Sequence, residues 1–160
     1  MTRPSVGVEI RLLADVPAAI PALAEWFHAE WHHYDGRSIA EIEARLHDCL
    51  NRDSLPITFL ALGGTEVIGT VSLDTSDFPP YDHLSPWLAS LYVVPSRRRE
   101  GVGRALVEHL VAFALERGIS PIYLWTPSST RLYEECGWQI LCCDVYSERP
   151  ITLMRRALEP

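Results

Sequence analysis

Residues 87–94 are apolar on both faces of an extended chain, Ser90 excepted, and a strand of that kind has to lie inside a sheet with further layers packed above and below it. Pro95 ends it, and Arg97, Arg98, Arg99 and Glu100 lead into Gly101-Val102-Gly103-Arg104, which opens a long apolar-striped helix. A helix start leaves backbone N–H groups unpaired and carrying partial positive charge, and glycines let an anion approach them without a Cβ in the way. The net charge of the chain is -7, so four arginines between positions 97 and 104 invert the local field. This segment reads as an anion site, although glycines also permit a tight turn that serves packing alone.

The rest of the chain arranges itself around that strand. Residues 6–13 have short strand character, with Val8, Ile10 and Leu12 on one face, and Pro17 marks a helix that runs to about His33. Ser38 offers the cap of a second helix carrying Ile39, Ile42, Leu46, Cys49 and Leu50. Residues 57–62 and 66–73 form a hairpin about Gly63-Gly64-Thr65, and the proline-rich stretch 74–86 reads as an irregular loop. Beyond the helix 101–117, which Gly118 stops, residues 121–125 form a strand. Thr126-Pro127 reads as the cap and first turn of a helix with Leu132, Tyr133 and Cys136 inward, and residues 138–146 and 150–158 form two closing strands. The order is β-α-α-β-β-β-α-β-α-β-β, a single mixed α/β domain over 1–160.

Composition narrows the partners. A sequence that is 48% hydrophobic and 22% charged is that of a globular domain, and its length supports a core without metal or disulfide. A pI near 5.3 disfavours nucleic acid and anionic membranes. No apolar run is long enough to span a membrane, and Glu9 and Arg11 interrupt any signal-like start, so a cytoplasmic location is expected. Cys49, Cys136, Cys142 and Cys143 match no metal or redox spacing, and Cys142 and Cys143 point to opposite faces of a strand. His28 and His32 share a helical face, but Glu30 is turned away from both, which leaves a His-based metalloenzyme a remote alternative and metal unneeded.

Two familiar phosphate-binding patterns do not fit the glycine turn. A dinucleotide fingerprint needs a third glycine where Leu106 stands, and a P-loop needs Gly-Lys-Ser or Gly-Lys-Thr, which is absent. What remains, Arg98-x-x-Gly101-x-Gly103 after Leu91-Tyr92-Val93-Val94-Pro95, resembles the central motif of the GNAT superfamily of N-acetyltransferases. Leu132-Tyr133-Glu134-Glu135-Cys136-Gly137-Trp138 resembles that family's second motif, at its order and spacing. The resemblance implies a mixed, mostly antiparallel sheet of about seven strands flanked by about four helices, and use of acetyl-CoA as co-substrate. It assigns the cofactor to Leu91, Tyr92, Val93, Arg98, Arg99, Glu100, Gly101, Val102, Gly103, Arg104, Thr126 and Ser129. Two positions depart from the family: Arg99 replaces a frequent glycine, and Glu100 suits a pyrophosphate only if turned to solvent or to Arg97. Thr126 stands where many members carry an asparagine.

The implied reaction is direct attack of an amine on the thioester, with Tyr133 as acid to the departing thiolate and strand amides around 91–93 polarising the carbonyl. A base is also needed. His83, Glu30, Asp74 or a bound water can serve, with His83 the first choice. The loop 75–86 and the helical region 25–37, which core packing leaves unexplained, form the acceptor pocket, with Glu30, Trp31, Tyr81 and Ser90 as its residues. The net charge favours a cationic acceptor such as a polyamine, an aminoglycoside or a basic peptide terminus. A non-catalytic acyl-CoA-binding regulatory module is the alternative on the same fold. Exposed strand edges near the carboxyl end also suggest a homodimer.

Overall fold

A computed structural model describes residues 7–157. Val6 and Leu158, with which the first and last strands were expected to begin and end, lie outside the described residues. The elements follow the order read from the sequence: β1 (Val8–Leu12), α1 (Ile20–Asp35), α2 (Ile39–His47), β2 (Ile57–Gly63), β3 (Glu66–Asp74), β4 (Trp87–Val93), α3 (Val102–Glu116), β5 (Ile122–Thr126), α4 (Thr130–Glu135), β6 (Gln139–Tyr146) and β7 (Arg149–Arg156).

Local chemistry sets several of these boundaries. Ser38 Oγ accepts from the Glu41 amide while the Glu41 carboxylate turns back to Ser38, a complete capping box at the start of α2. The sequence placed the start of α4 at Thr126-Pro127, and the structure corrects it to Thr130. The Thr126 hydroxyl accepts from the amides of Ser128 and Ser129 at 3.3 and 2.9 Å, so it closes a turn ahead of the helix.

The strands form one sheet in the order β1-β2-β3-β4-β5-β7-β6, antiparallel throughout except for the parallel β4–β5 pair. Alternation along β2 divides its side chains between two layers: Ile57, Phe59 and Ala61 face α3, whereas Leu60 faces α1 and α2. One core therefore joins the sheet to Leu106, Leu110, Tyr133 and Trp138, and another joins it to Leu23, Phe27, Ile42 and Leu46. A third sits under the proline-rich loop, where Phe78 is fully buried with Trp87, Ile151 and Leu153. That loop was expected to owe nothing to the core. Phe78 anchors it there, and Tyr81 ties it to β6 through a 2.7 Å hydrogen bond to Asp144. β6 is an outer edge of the sheet and exposes Ile140, Leu141 and Val145.

Candidate functional site

β4 is irregular on both edges, and the site follows from that. Its pairing with β3 steps from Thr70↔Tyr92 to Ser72↔Ala89, so Ser90 and Leu91 together oppose one residue, Val71. Ser90, the first of the two, takes a left-handed φ of 57°. The extra residue rephases the strand: Leu88 before it and Leu91 and Val93 after it all pack toward α3, while Tyr92 stacks on Trp26 of α1 at 5.3 Å. On the opposite edge the pairing with β5 has a single register position, Trp87↔Tyr123. Past Trp87 the two parallel strands diverge, and a wedge opens in the middle of the sheet.

Three cavities run through this opening. The first, about 540 Å³, lies over the arginine turn and is lined by Arg98, Arg99, Gly101, Val102, Gly103 and Arg104, with Leu91, Tyr92 and Val93 from β4. Gly101 adopts φ 85° at the helix start, a left-handed turn that aims the first amides of α3 into this space. Arg98 donates from Nε to the Val93 carbonyl at 2.9 Å and pins the turn to the strand. Glu100 does not line the cavity; its carboxylate meets Arg97 Nε at 3.1 Å, which removes its charge from the anion seat. Arg104 is paired with Glu108 at 3.0 Å on the first turns of the helix.

The second cavity, about 190 Å³, occupies the wedge itself, with Tyr133, Thr126 and Ser129 on one side and Trp31, Asp77 and Ser90 on the other. It shares Glu30, Leu91, Ser128 and Ser129 with the first. The third, about 280 Å³, lies between α1, α2 and the sheet and shares Trp31, Arg37, Asp77 and Ser90 with the second. Arginine turn, wedge and outer cavity thus lie in a row, each sharing walls with the next.

The titratable groups in the wedge are shifted by burial. Tyr133, only 5% exposed and packed against Trp138, has its phenol pushed well above the usual tyrosine range, first by desolvation and then by the charges of Asp77 and Cys136. It stays protonated. Asp77 is pushed up to about 8 by desolvation and by the neighbouring Asp74 carboxylate. The indole N–H of Trp125, buried and without a well-aligned acceptor, works in the opposite direction, as do the guanidinium groups of Arg37 and Arg45.

The sequence-derived residues divide accordingly. Glu30, Trp31, Ser90, Thr126, Ser129 and Tyr133 line the wedge. Asp74 lines the outer cavity, with Oδ1 occupied by the Thr75 amide at 2.6 Å. His83 and Tyr81 line none of the three cavities: His83 is exposed beside the Tyr81 ring, and the Tyr81 hydroxyl is held by Asp144. Asp77, Arg37, Arg45 and Ser128 were not singled out from the sequence. They sit in loops and on an exposed helix face, where no periodicity or motif marks them. Among the described residues no group of three or more His, Cys, Asp or Glu side chains could hold a metal ion, and the His28 and His32 rings stack on each other at 4.8 Å.

Comparison with known proteins decides the family. The model of the acetyltransferase (GNAT) family matches residues 20–138. This chain belongs to the GNAT family. No curated protein matches it by sequence. Among solved structures, an aminoglycoside 6'-N-acetyltransferase complexed with coenzyme A is 18% identical and superposes with a TM-score of 0.73 over 95% of this chain and 98% of that one. Ard1 from Thermoplasma volcanium is 17% identical at a TM-score of 0.74, covering 97% and 100%. A putative acetyltransferase from Salmonella typhimurium with its cofactor acetyl-CoA is 17% identical, also at 0.74, covering 96% and 95%. At these identities the structural likeness speaks for the GNAT fold: a seven-stranded, mostly antiparallel sheet opened between its two central parallel strands.

Proposed function

We propose that this GNAT chain is an N-acetyltransferase that moves the acetyl group of acetyl-CoA to the primary amine of a small molecule or peptide by direct attack in a ternary complex. The observation that carries this is the succession of the three cavities: an arginine- and glycine-lined anion seat adjoins a wedge holding a protonated phenol, which adjoins a cavity bearing carboxylates.

The donor fits the residues present. Arg98, Arg99 and the first amides of α3 suit the pyrophosphate, and the amides of Ser90 and Leu91, which the bulge takes out of register, suit the thioester carbonyl. When bound, acetyl-CoA supplies the activated acyl group. Preorganised amides of this sort are worth about 3 kcal/mol toward a developing oxyanion. Tyr133 holds its proton against burial and donates a hydrogen bond toward the departing sulfur. An ordinary thiol has a pKa of about 8.5, below that of a phenol, so stabilising the thiolate by this hydrogen bond takes precedence over full proton transfer. Asp77, between the wedge and the outer cavity, accepts the proton that the attacking amine must lose. Its pKa near 8 lies much closer to that of an amine than an ordinary aspartate does.

The test is release of free CoA thiol from acetyl-CoA across a panel of amines. Tyr133→Phe keeps the buried ring and loses only the hydroxyl, so kcat is expected to fall by about 10²- to 10⁴-fold while calorimetric CoA binding survives. A Tyr133→Phe enzyme with unchanged kcat would remove the assigned acid. CoA binding with no turnover of any amine would instead leave a binding module.

A further inference from the structure

The outer cavity carries a signature that acetyl transfer as such does not demand. One wall is apolar, made by Phe27, Trp31, Ile42, Leu46 and Cys49, whereas its charged groups are of both signs: the carboxylates of Asp35, Asp48, Asp74 and Asp77, of which Asp35 and Asp77 also border the wedge, and the guanidinium groups of Arg37 and Arg45. Arg37 borders both the wedge and the outer cavity, as Asp77 does, and the two guanidinium groups act electrostatically on the Asp77 carboxylate. Arg37 is paired with Asp35 at 3.3 Å. Arg45 is different. Glu41, one helical turn before it and placed for an i,i+4 pair, is engaged by the capping box at Ser38, and Arg45 makes no ion pair with any described residue. A cation without an ion-pair partner among the described residues thus stands on the wall of a small cavity that is apolar on one side and carries carboxylates on the other.

Size points the same way. At about 280 Å³ the cavity falls just below the range of roughly 300–1,000 Å³ that holds drug-sized ligands. A wall with charges of both signs suits a ligand that carries both, whereas a polycationic sugar or polyamine, or an apolar monoamine, would leave Arg45 unused.

We propose that the acceptor is a small amine bearing its own carboxylate, of the α-amino acid type with an apolar side chain, seated with its ammonium group toward Asp77, its carboxylate on Arg45 and Arg37, and its side chain among Phe27, Trp31, Ile42 and Leu46. This rests on the acetyl-transfer reading for the site and specifies its substrate class.

The experiment compares matched pairs that differ only in the carboxylate, leucine against 3-methylbutylamine and phenylalanine against phenethylamine, with spermidine and kanamycin as polycations. Thiol release is followed with acetyl-CoA, and leucine binding to the CoA-loaded protein is measured by calorimetry. The amino acids are expected to exceed their decarboxylated partners in kcat/KM by about 10- to 100-fold, the worth of a charge-assisted hydrogen bond. Arg45→Gln, an exposed position where folding is not at stake, is expected to bring that ratio close to one and to weaken leucine binding by a similar factor. Equal or better turnover of the decarboxylated amines, spermidine or kanamycin overturns the proposal, as does a preference for amino acids that survives Arg45→Gln. Leucine binding that depends on Arg45, without thiol release from any amine, upholds the ligand class and overturns acetyl transfer instead. Neither binding nor release overturns both.

Discussion

Asp77 and Tyr133 face the same wedge, and burial moves both toward their protonated forms, with opposite consequences for the chemistry. A protonated phenol is the working form of a hydrogen-bond donor, whereas a protonated carboxyl cannot accept the amine's proton. With Asp77 pushed up to about 8, kcat/KM is expected to rise through that pH, since this constant reports the free enzyme. Asp77→Asn should flatten the profile and lower its upper plateau by about 10²- to 10⁴-fold. Stability runs the other way. The folded chain keeps a proton that the unfolded chain gives up above about 3.9, so this contribution is complete below that pH and is lost as pH rises through about 8. Thermal melts of the wild type should drop between about pH 5 and 9 more than those of Asp77→Asn, which has no carboxyl to ionise. A rate independent of pH between about 6.5 and 9.5 would exclude Asp77 as the base. The form of the arginine turn, by contrast, was legible, because its glycines and arginines act through local backbone and charge: of the two alternatives open to Glu100, solvent or Arg97, the structure takes Arg97, and Glu100, assigned to the cofactor from the sequence, stands off the cavity. Asp77 was not, because its environment is made by a chain reversal that carries Phe78 into the core and by strands distant in sequence.

Elements are positioned by close approaches that the sequence marks only as glycine. A Cβ on Gly69 of β3 would stand 3.0 Å from the Tyr92 carbonyl oxygen, 3.1 Å from Leu106 and 3.3 Å from Val102, where the sheet meets the first turns of α3. Gly69→Ala therefore pushes the amide-bearing end of α3 off β4. It is expected to destabilise the fold by about 1–3 kcal/mol, read by denaturant titration, and to weaken CoA binding as well. Gly103→Ala, whose new methyl would meet only Val93 and Leu132 at 3.7 and 3.9 Å, should be tolerated. Gly101→Ala has open space but a left-handed backbone, so about 1–2 kcal/mol is expected from conformation alone. Reversal of the order, with Gly103 the costly position, would contradict this account of how α3 is seated. The same distinction governs what could be read in advance. The Ser38 cap and the stripe of α3 depend on neighbours within four residues and were legible; the shift of α4 to Thr130 and the bulge at Ser90 depend on a turn and a partner strand and were not.

At the scale of the molecule the sheet is two blocks, β1-β2-β3-β4 and β5-β7-β6, joined by one parallel register pair and the 3.0 Å bond from the Tyr123 amide to the Pro86 carbonyl. Neither that block order nor the wedge between the blocks follows from the succession of elements, because β7 inserts between β5 and β6 through tertiary pairing. An edge of β4 left unpaired beyond Trp87 forgoes ladder hydrogen bonds inside the fold, and a ligand that fills the wedge restores partners to both sides. CoA binding should therefore stabilise the whole chain and slow amide exchange unevenly. At a free concentration of about 100 Kd the linkage contribution is about 2.7 kcal/mol, a rise in Tm of roughly 5–11 °C for a domain of this size. The local part of the protection should concentrate at residues 90–93 of β4 and 99–104 at the start of α3, while the β6–β7 hairpin, which meets the wedge only through Tyr146 at its turn, gains over residues 139–145 only what global stabilisation confers. Protection that rises equally in all strands, or first in β6, would mean that the ligand does not bridge the two blocks, and the wedge would then lose its role as the place where donor and acceptor meet.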